Sequence, residues 1–201
     1  MSLLDTAADI ISYCSASTKR IGVLVLYEII VSVAINLIGY VYVDKVALLH
    51  SNITTPMLTP DVRFGYSPLE LDELYLYMGP IARRNYIYLE LFDIFQYMPA
   101  YVLLLSTLLT TAYMKLHGKV SLLAYLPFFT VICDLIENTS QIYTAYTFQE
   151  RISLHDPTWL LAAYTGTTGN ILKWITLIAS IVILIITSIR AALYGKTYKN
   201  E

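Results

Sequence analysis

Apolar positions gather along this chain into four stretches, about 21–43, 86–113, 120–147 and 169–193, separated by shorter polar segments. A helix of about 20 apolar residues crosses the roughly 30 Å hydrocarbon core of a bilayer, and each stretch reaches that length. None shows the short alternating pattern of a barrel strand. The pattern predicts an all-α fold, a four-helix transmembrane bundle forming one domain over residues 1–201. Before the first stretch, Leu3, Leu4, Ala7, Ala8, Ile10 and Ile11 recur at helical spacing, which predicts an amphipathic helix on the membrane surface. With Asp5, Asp9 and no basic start, it does not read as a signal peptide.

The segment 44–85 is too long for a simple connector, so it is expected to hold structure or function of its own. Pro56, Pro60 and Gly65 make its first part turn-rich. Ser67-Pro68-Leu69-Glu70 then reads as a helix start, with Ser as cap, Pro at the first position and Glu at the third. Leu69, Leu71, Leu74, Tyr75, Tyr77 and Met78 give that helix an apolar face, with re-entry into the membrane expected after Gly79-Pro80.

Composition agrees with the pattern: 57% of residues are hydrophobic and 14% charged, outside the balance of a soluble domain. A net charge of -2 gives no reason to expect nucleic acid. Cys14 and Cys133 form no CxxC pair, which argues against a redox centre or a zinc cluster. Lys19, Arg20, Lys115, Lys119, Arg190, Lys196 and Lys199 fall on the side of the termini and the second loop, against Lys45, Arg63, Arg83, Arg84 and Arg151 on the other. This modest bias predicts cytoplasmic termini and places the sequon Asn52-Ile53-Thr54 outside.

Against this background, three acids stand where a bilayer should exclude them: Asp93, Asp134 and Glu137. A charge near a helix centre costs about 2.5 to 3.5 kcal/mol on insertion scales, so such a group faces other helices and is paired, protonated or functional. Asp134, Glu137, Asn138 and Gln141 stand at i, i+3, i+4 and i+7 and share one helix face. Tyr86, Glu90, Asp93 and Tyr97 form a similar stripe, as do Glu28, Ser32, Asn36 and Tyr40. Counting depth from the expected span ends brings Gln96, Asn170 and Lys173 to the same level. One reading is an interhelical clamp in which Lys173 neutralises one carboxylate while Gln96, Asn138 and Asn170 donate hydrogen bonds. The other notes that three acids outnumber one lysine, leaving at least one that holds a proton or meets water or a cation. If the protein is an enzyme, Asp134, Glu137 and Asp93 are the residues expected to carry its acid/base chemistry.

Other signals are sparse. No phosphate-cradling glycine loop, HExxH or GxSxG is present, His50, His117 and His155 are scattered, and neither a cofactor nor a metal is expected. Arg83 and Arg84 are placed to meet a lipid headgroup or to anchor a span end. Gly39, Gly166, Gly169 and Ala179 would permit close helix approach. Thr165-Gly166-Thr167-Thr168-Gly169-Asn170 reads as the capped start of the fourth span, with Trp159 at the interface and Trp174 in the packing.

An ordered series runs through Tyr66-Ser67-Pro68, Glu70, Tyr77-Met78-Gly79-Pro80, Arg83 or Arg84, Tyr86, Asp93, Pro99, Tyr101, Leu126-Pro127, Asp134-Leu135-Ile136-Glu137-Asn138 and Leu172-Lys173-Trp174. It resembles a family of small four-span microbial membrane proteins with a Tyr-Gly-x-x-Gly-Arg stretch, a single Asp in the next span and a D-x-x-E-N span afterwards. The similarity covers about half the chain, Tyr66 to Trp174, and departs from the family where Met78 precedes the glycine and Ala82 replaces the second one. It implies that Asp93, Asp134, Glu137, Asn138 and Lys173 form one site, and it brings no activity.

Two functional expectations follow. The first is a bundle that binds a membrane lipid or a partner membrane protein, including a second copy of itself. The second is a membrane enzyme in which Asp134 or Glu137 protonates an apolar lipid or isoprenoid while Asp93 and Lys173 tune the acid. A proton-coupled carrier ranks behind both, since four spans show no inverted repeat.

Overall fold

The computed structural model describes residues 3–51, 58–151, 153 and 156–194, with the backbone alone for 3–5. The sequon at Asn52, His155, Lys196 and Lys199 lie outside the described residues. The fold is helical. Helix α1 (Leu3–Ser15) leads into α2 (Thr18–Ile38), which passes through a π-helical turn, Gly39–Asp44, into α3 (Lys45–Ser51). Helix α4 (Pro68–Phe92) passes through a second π turn, Asp93–Tyr97, into α5 (Met98–His117). Then come α6 (Leu126–Tyr146) and α7 (Pro157–Tyr194). Among the described residues, four helical stretches are long and apolar enough to cross a membrane: Thr18–Ser51, Pro68–His117, Leu122–Gln149 and Pro157–Tyr194. This is the architecture of a multi-pass membrane protein.

Several boundaries differ from the sequence reading. The first helix does not stop near residue 43 but runs to Ser51, because the π turn carries the chain past Asp44 and Lys45 into the apolar Val46-Ala47-Leu48-Leu49. The second begins at Pro68 with the expected capping box: the Glu70 amide donates to Ser67 Oγ at 3.2 Å and the Ser67 amide to Glu70 Oε2 at 2.7 Å. The segment expected as a loop over 44–85 is therefore helical at both ends, over 44–51 and 68–85. At Gly79 the backbone takes φ 65° and ψ 178°, a conformation open to glycine and not to L side chains, so the helix kinks and continues through Pro80. The His50 ring packs over the same glycine, and a Cβ there would stand 2.6 Å from it.

The last helix starts twelve residues before the expected position, at Pro157 rather than 169, and the Thr/Gly-rich run lies inside it. Thr165 and Thr168 return their hydroxyls to the carbonyls of Leu161 and Tyr164, at 2.7 and 2.8 Å. The helix start is capped instead by Asp156, whose carboxylate accepts from the amides of Thr158 and Trp159 at 3.0 and 3.2 Å. The Thr158 hydroxyl, then the Trp159 amide, hold this exposed carboxyl below its ordinary range. A lowered value contributes stability at pH above the unfolded value, lost as pH falls through the folded one. Asp156→Ala is therefore expected to speed amide exchange over 158–160 near neutral pH, whereas Asp156→Asn retains most of the protection. Equal exchange in wild type and Asp156→Ala would remove the cap from this account.

Helices α6 and α7 make the most extensive contact in the bundle. Gly169 allows it, since a Cβ there would lie 2.8 Å from the Cys133 carbonyl oxygen. Helix α2 is peripheral, with Val31 its one buried residue. Helix α1 packs against α5 and α2, buries Ile11, and is tied to the first span by Arg20, which donates to the Tyr13 carbonyl at 2.7 Å and lies over the Tyr13 ring. Cys14 and Cys133 are free.

Candidate functional site

Three helices bring the polar stripes together at one level. On α7, Lys173 turns its ammonium toward α6, where Nζ stands 2.5 Å from Glu137 Oε2 and 3.1 Å from Asp134 Oδ1. Glu137 is fully buried, and its other oxygen accepts from Gln141 Nε2 and Asn170 Nδ2, each at 2.7 Å. Asn138, also fully buried, donates to Asp93 Oδ2 at 2.7 Å across the gap to the second span. Tyr101 donates to Asp134 Oδ2 at 2.9 Å. Asp134, Glu137, Gln141, Asn170 and Lys173 thus form one buried network, with the buried Asn138–Asp93 pair beside it. Each group finds a partner from another helix, as burial away from water demands.

Gln96 does not join it. The π turn Asp93–Tyr97 widens the helix, and Gln96 comes out exposed, its Oε1 accepting from Tyr27 at 3.0 Å. The turn accommodates Pro99, which supplies no amide hydrogen and would crowd the carbonyl of residue 95 in a regular helix. The arginines part company as well. Arg84 is exposed, but Arg83 is buried: it donates to the Tyr75 carbonyl at 3.2 Å and lies 4.6 Å from the centre of the Phe148 ring. Arg151, paired with Asp72, covers the same ring and that of Trp159. Trp159 is accordingly no interface residue but a buried one, donating its indole N–H to the Thr144 carbonyl at 3.0 Å.

Asp61 was missed by the sequence reading. It sits on a single 3₁₀ turn, Pro60–Val62, that folds over the end of the bundle. Its carboxylate lies 3.7 Å from Lys173 Nζ and accepts from Tyr86 at 3.3 Å. Tyr86 also donates a short hydrogen bond to Gln141. Asn170 fixes the turn from both sides, donating to the Pro60 carbonyl at 3.2 Å and accepting from the Gly65 amide at 2.6 Å. Next to it the Tyr66 amide donates to Thr167 Oγ1 at 2.8 Å. Burial, followed by the nearby Glu137 carboxyl, pushes the Tyr66 phenol above its ordinary value, so it stays protonated and accepts from Gln141 at 3.4 Å. Glu90, part of a polar stripe in the sequence yet not set among the site residues, is 2% exposed and lines the same cavity as Asp61.

The network forms one wall of a cavity of about 810 Å³ between α2, α5, α6 and α7. Asp44, Asp61, Glu90, Asp93, Asp134 and Lys173 line it near the Asp61 turn, Leu104, Leu105, Trp174, Leu177 and Ile181 line it further along α5 and α7, and Glu28 lines it from α2. Both π turns border it, through Gly39, Tyr40, Val43 and Asp44 on one side and Asp93 and Tyr97 on the other. π turns inserted in α-helices recur at functional sites, where the extra residue re-aims side chains. Glu137 does not line the cavity; it lies behind Lys173, Asn170 and Gln141. Trp174, half-buried, lines this space.

The helices and the buried Lys/Asp/Glu cluster define the class, a multi-pass membrane protein with a polar core. No family model, curated protein or solved structure matches the chain, and the resemblance over Tyr66 to Trp174 rests on those residues alone.

Proposed function

We propose that the protein binds a single lipid-sized amphiphile in the bundle cavity, its polar head toward Asp93 and Asp134 and its apolar part along Leu104, Leu105 and Leu177. The observation that carries this reading is the gradation of one cavity from an acid-lined part near the Asp61 turn to an apolar part along α5 and α7. Its volume of about 810 Å³ falls in the range of small-molecule sites. A clamp that served packing alone would have no use for such a space, since interiors close to near-crystalline density.

Native mass spectrometry of protein released from gentle detergent tests it. The wild type is expected to carry one defined adduct, lost in Leu177→Trp, which fills the cavity, and kept in Ile175→Trp, whose side chain points outward. A bare wild type, or an adduct indifferent to Leu177→Trp, would end this reading and turn attention to a partner membrane protein.

A second reading, acid/base catalysis on an apolar lipid or isoprenoid, is favoured by one detail. Asp134 lines the cavity while holding both the Tyr101 hydroxyl and the Lys173 ammonium. Such an arrangement can hold a proton at the carboxyl, or let the carboxylate take the phenol's proton as the phenol takes one from the bound molecule. Of the two acids that the sequence offered as proton donors, Asp134 is therefore the better placed. If it acts on the bound molecule, the adduct of Asp134→Asn will be a chemical precursor of the wild-type adduct; identical adducts would exclude turnover by this residue.

A further inference from the structure

The same cavity carries information about the head of its occupant. Resting on the lipid-sized amphiphile reading above, we infer that the ligand has a primary ammonium head that donates hydrogen bonds to Glu90 and Asp93. Two observations converge on this. Glu90 is 2% exposed and Asp93 7% exposed, and both line the cavity. Among the described residues, each keeps one buried oxygen, Glu90 Oε2 and Asp93 Oδ1, with no hydrogen-bond partner. Buried carboxylate oxygens without donors are costly, so the molecule that fills the space is one that brings donors and positive charge.

The protein's own cation cannot fill that role. Lys173 is occupied by Glu137 at 2.5 Å and Asp134 at 3.1 Å, with Asp61 at 3.7 Å. Among the described residues, no arginine lines the cavity. A phosphate, sulfate or carboxylate head beside Glu90 and Asp93 would meet carboxylates, with the lining cation Lys173 already paired and Lys45 outside, over the Tyr40 ring, whereas an alkylammonium matches the charge and the acceptors. Among the described residues, no group of three His, Cys, Asp or Glu side chains is arranged to hold a metal ion. An organic cation with its own N–H donors suits two unpartnered oxygens on different residues better than a metal. Tyr97 stands beside Asp93 on the cavity wall, where its ring adds an aromatic surface next to the ammonium position.

Dodecylamine, dodecanol and dodecanoic acid, which share one chain length and differ in the head, test the inference by native mass-spectrometric titration. The amine is expected to bind at least about tenfold more tightly than the alcohol, with the acid weakest, reflecting one charge-assisted hydrogen bond or more. Leu177→Trp should block all three, and the double variant Glu90→Gln, Asp93→Asn should bring the amine down to the level of the alcohol. If the alcohol or the acid equals or exceeds the amine while Leu177→Trp still abolishes binding, the ammonium assignment is overturned and the amphiphile reading stands. If no probe binds in a manner sensitive to Leu177→Trp, both fall. The wild-type ranking decides the matter even where the double variant does not fold.

Discussion

Lys173→Met should destabilise the protein by about 3 to 5 kcal/mol, the cost typical of removing one partner from a buried ion pair. The lysine is 7% exposed and is the cation that Asp134 and Glu137 share, at 3.1 and 2.5 Å. Without it, two buried carboxylates face each other and Asp61 with no counter-charge, and at least one must take up a proton or draw in water. The loss belongs to stranded charges rather than to lost packing, because methionine nearly conserves the side-chain volume. Neutralising both partners in the same chain, as Asp134→Asn and Glu137→Gln, should therefore restore much of the stability. Unfolding in mixed detergent micelles would supply the comparison. A Lys173→Met protein within about 0.5 kcal/mol of wild type, or a triple variant no better than the single one, would refute the idea that Lys173 holds the network together by charge.

How much of this network could be read from the sequence depends on how far each residue's position follows from helix geometry. Asp134, Glu137, Asn138 and Gln141 share a face through spacing alone, and that face points inward because lipid penalises it. Lys173 followed from depth, its span starting on the side where those acids lie. Gln96 failed the same logic because it was extrapolated through a regular helix, whereas the π turn Asp93–Tyr97 carries it outward. Asp61 was invisible for a different reason. Nothing local draws a turn residue into a bundle; Asn170, more than a hundred residues away, holds its backbone from both sides. Arg83 looked like an interfacial cation, yet Phe148 and the Tyr75 carbonyl remove it from the surface. The fourth helix was shortened because threonine and glycine are weak helix formers, and close packing on α6 overrode that preference. The cavity, finally, is a property of how helices splay, and no stripe of residues announces it.

That packing makes the second large effect local and graded. Gly169→Ala is expected to cost about 1 to 3 kcal/mol, the usual scale of overpacking, and Gly169→Val more. The added Cβ would lie 2.8 Å from the Cys133 carbonyl oxygen and 3.0 Å from the Glu137 amide nitrogen, both backbone atoms of α6. Neither atom can rotate aside, so α6 and α7 must separate. Separation at Gly169 also moves Asn170 and Lys173, the next residue and the next turn, away from Glu137. The substitution should therefore weaken the turn that carries Asp61 as well as the helix pair. Gly166 provides a comparison, since a Cβ there meets the end of the Tyr66 side chain and Ser140 Cβ, at 2.5 and 3.0 Å, rather than backbone. The Tyr66 hydroxyl is the end of a side chain and can swing aside, though by more than a few tenths of an ångström, while Ser140 Cβ has little to give, which places Gly166→Ala between the extremes. Gly22, on the first span, has nothing within 4 Å of a built Cβ, and Gly22→Ala should be neutral or stabilising by up to about 1 kcal/mol through helix propensity. The order of stability in one unfolding assay, Gly22→Ala above Gly166→Ala above Gly169→Ala, is the checkable result. A Gly169→Ala protein as stable as wild type would mean that the helices are not in backbone contact here, and the geometry that seats Lys173 between Asp134 and Glu137 would fall with it.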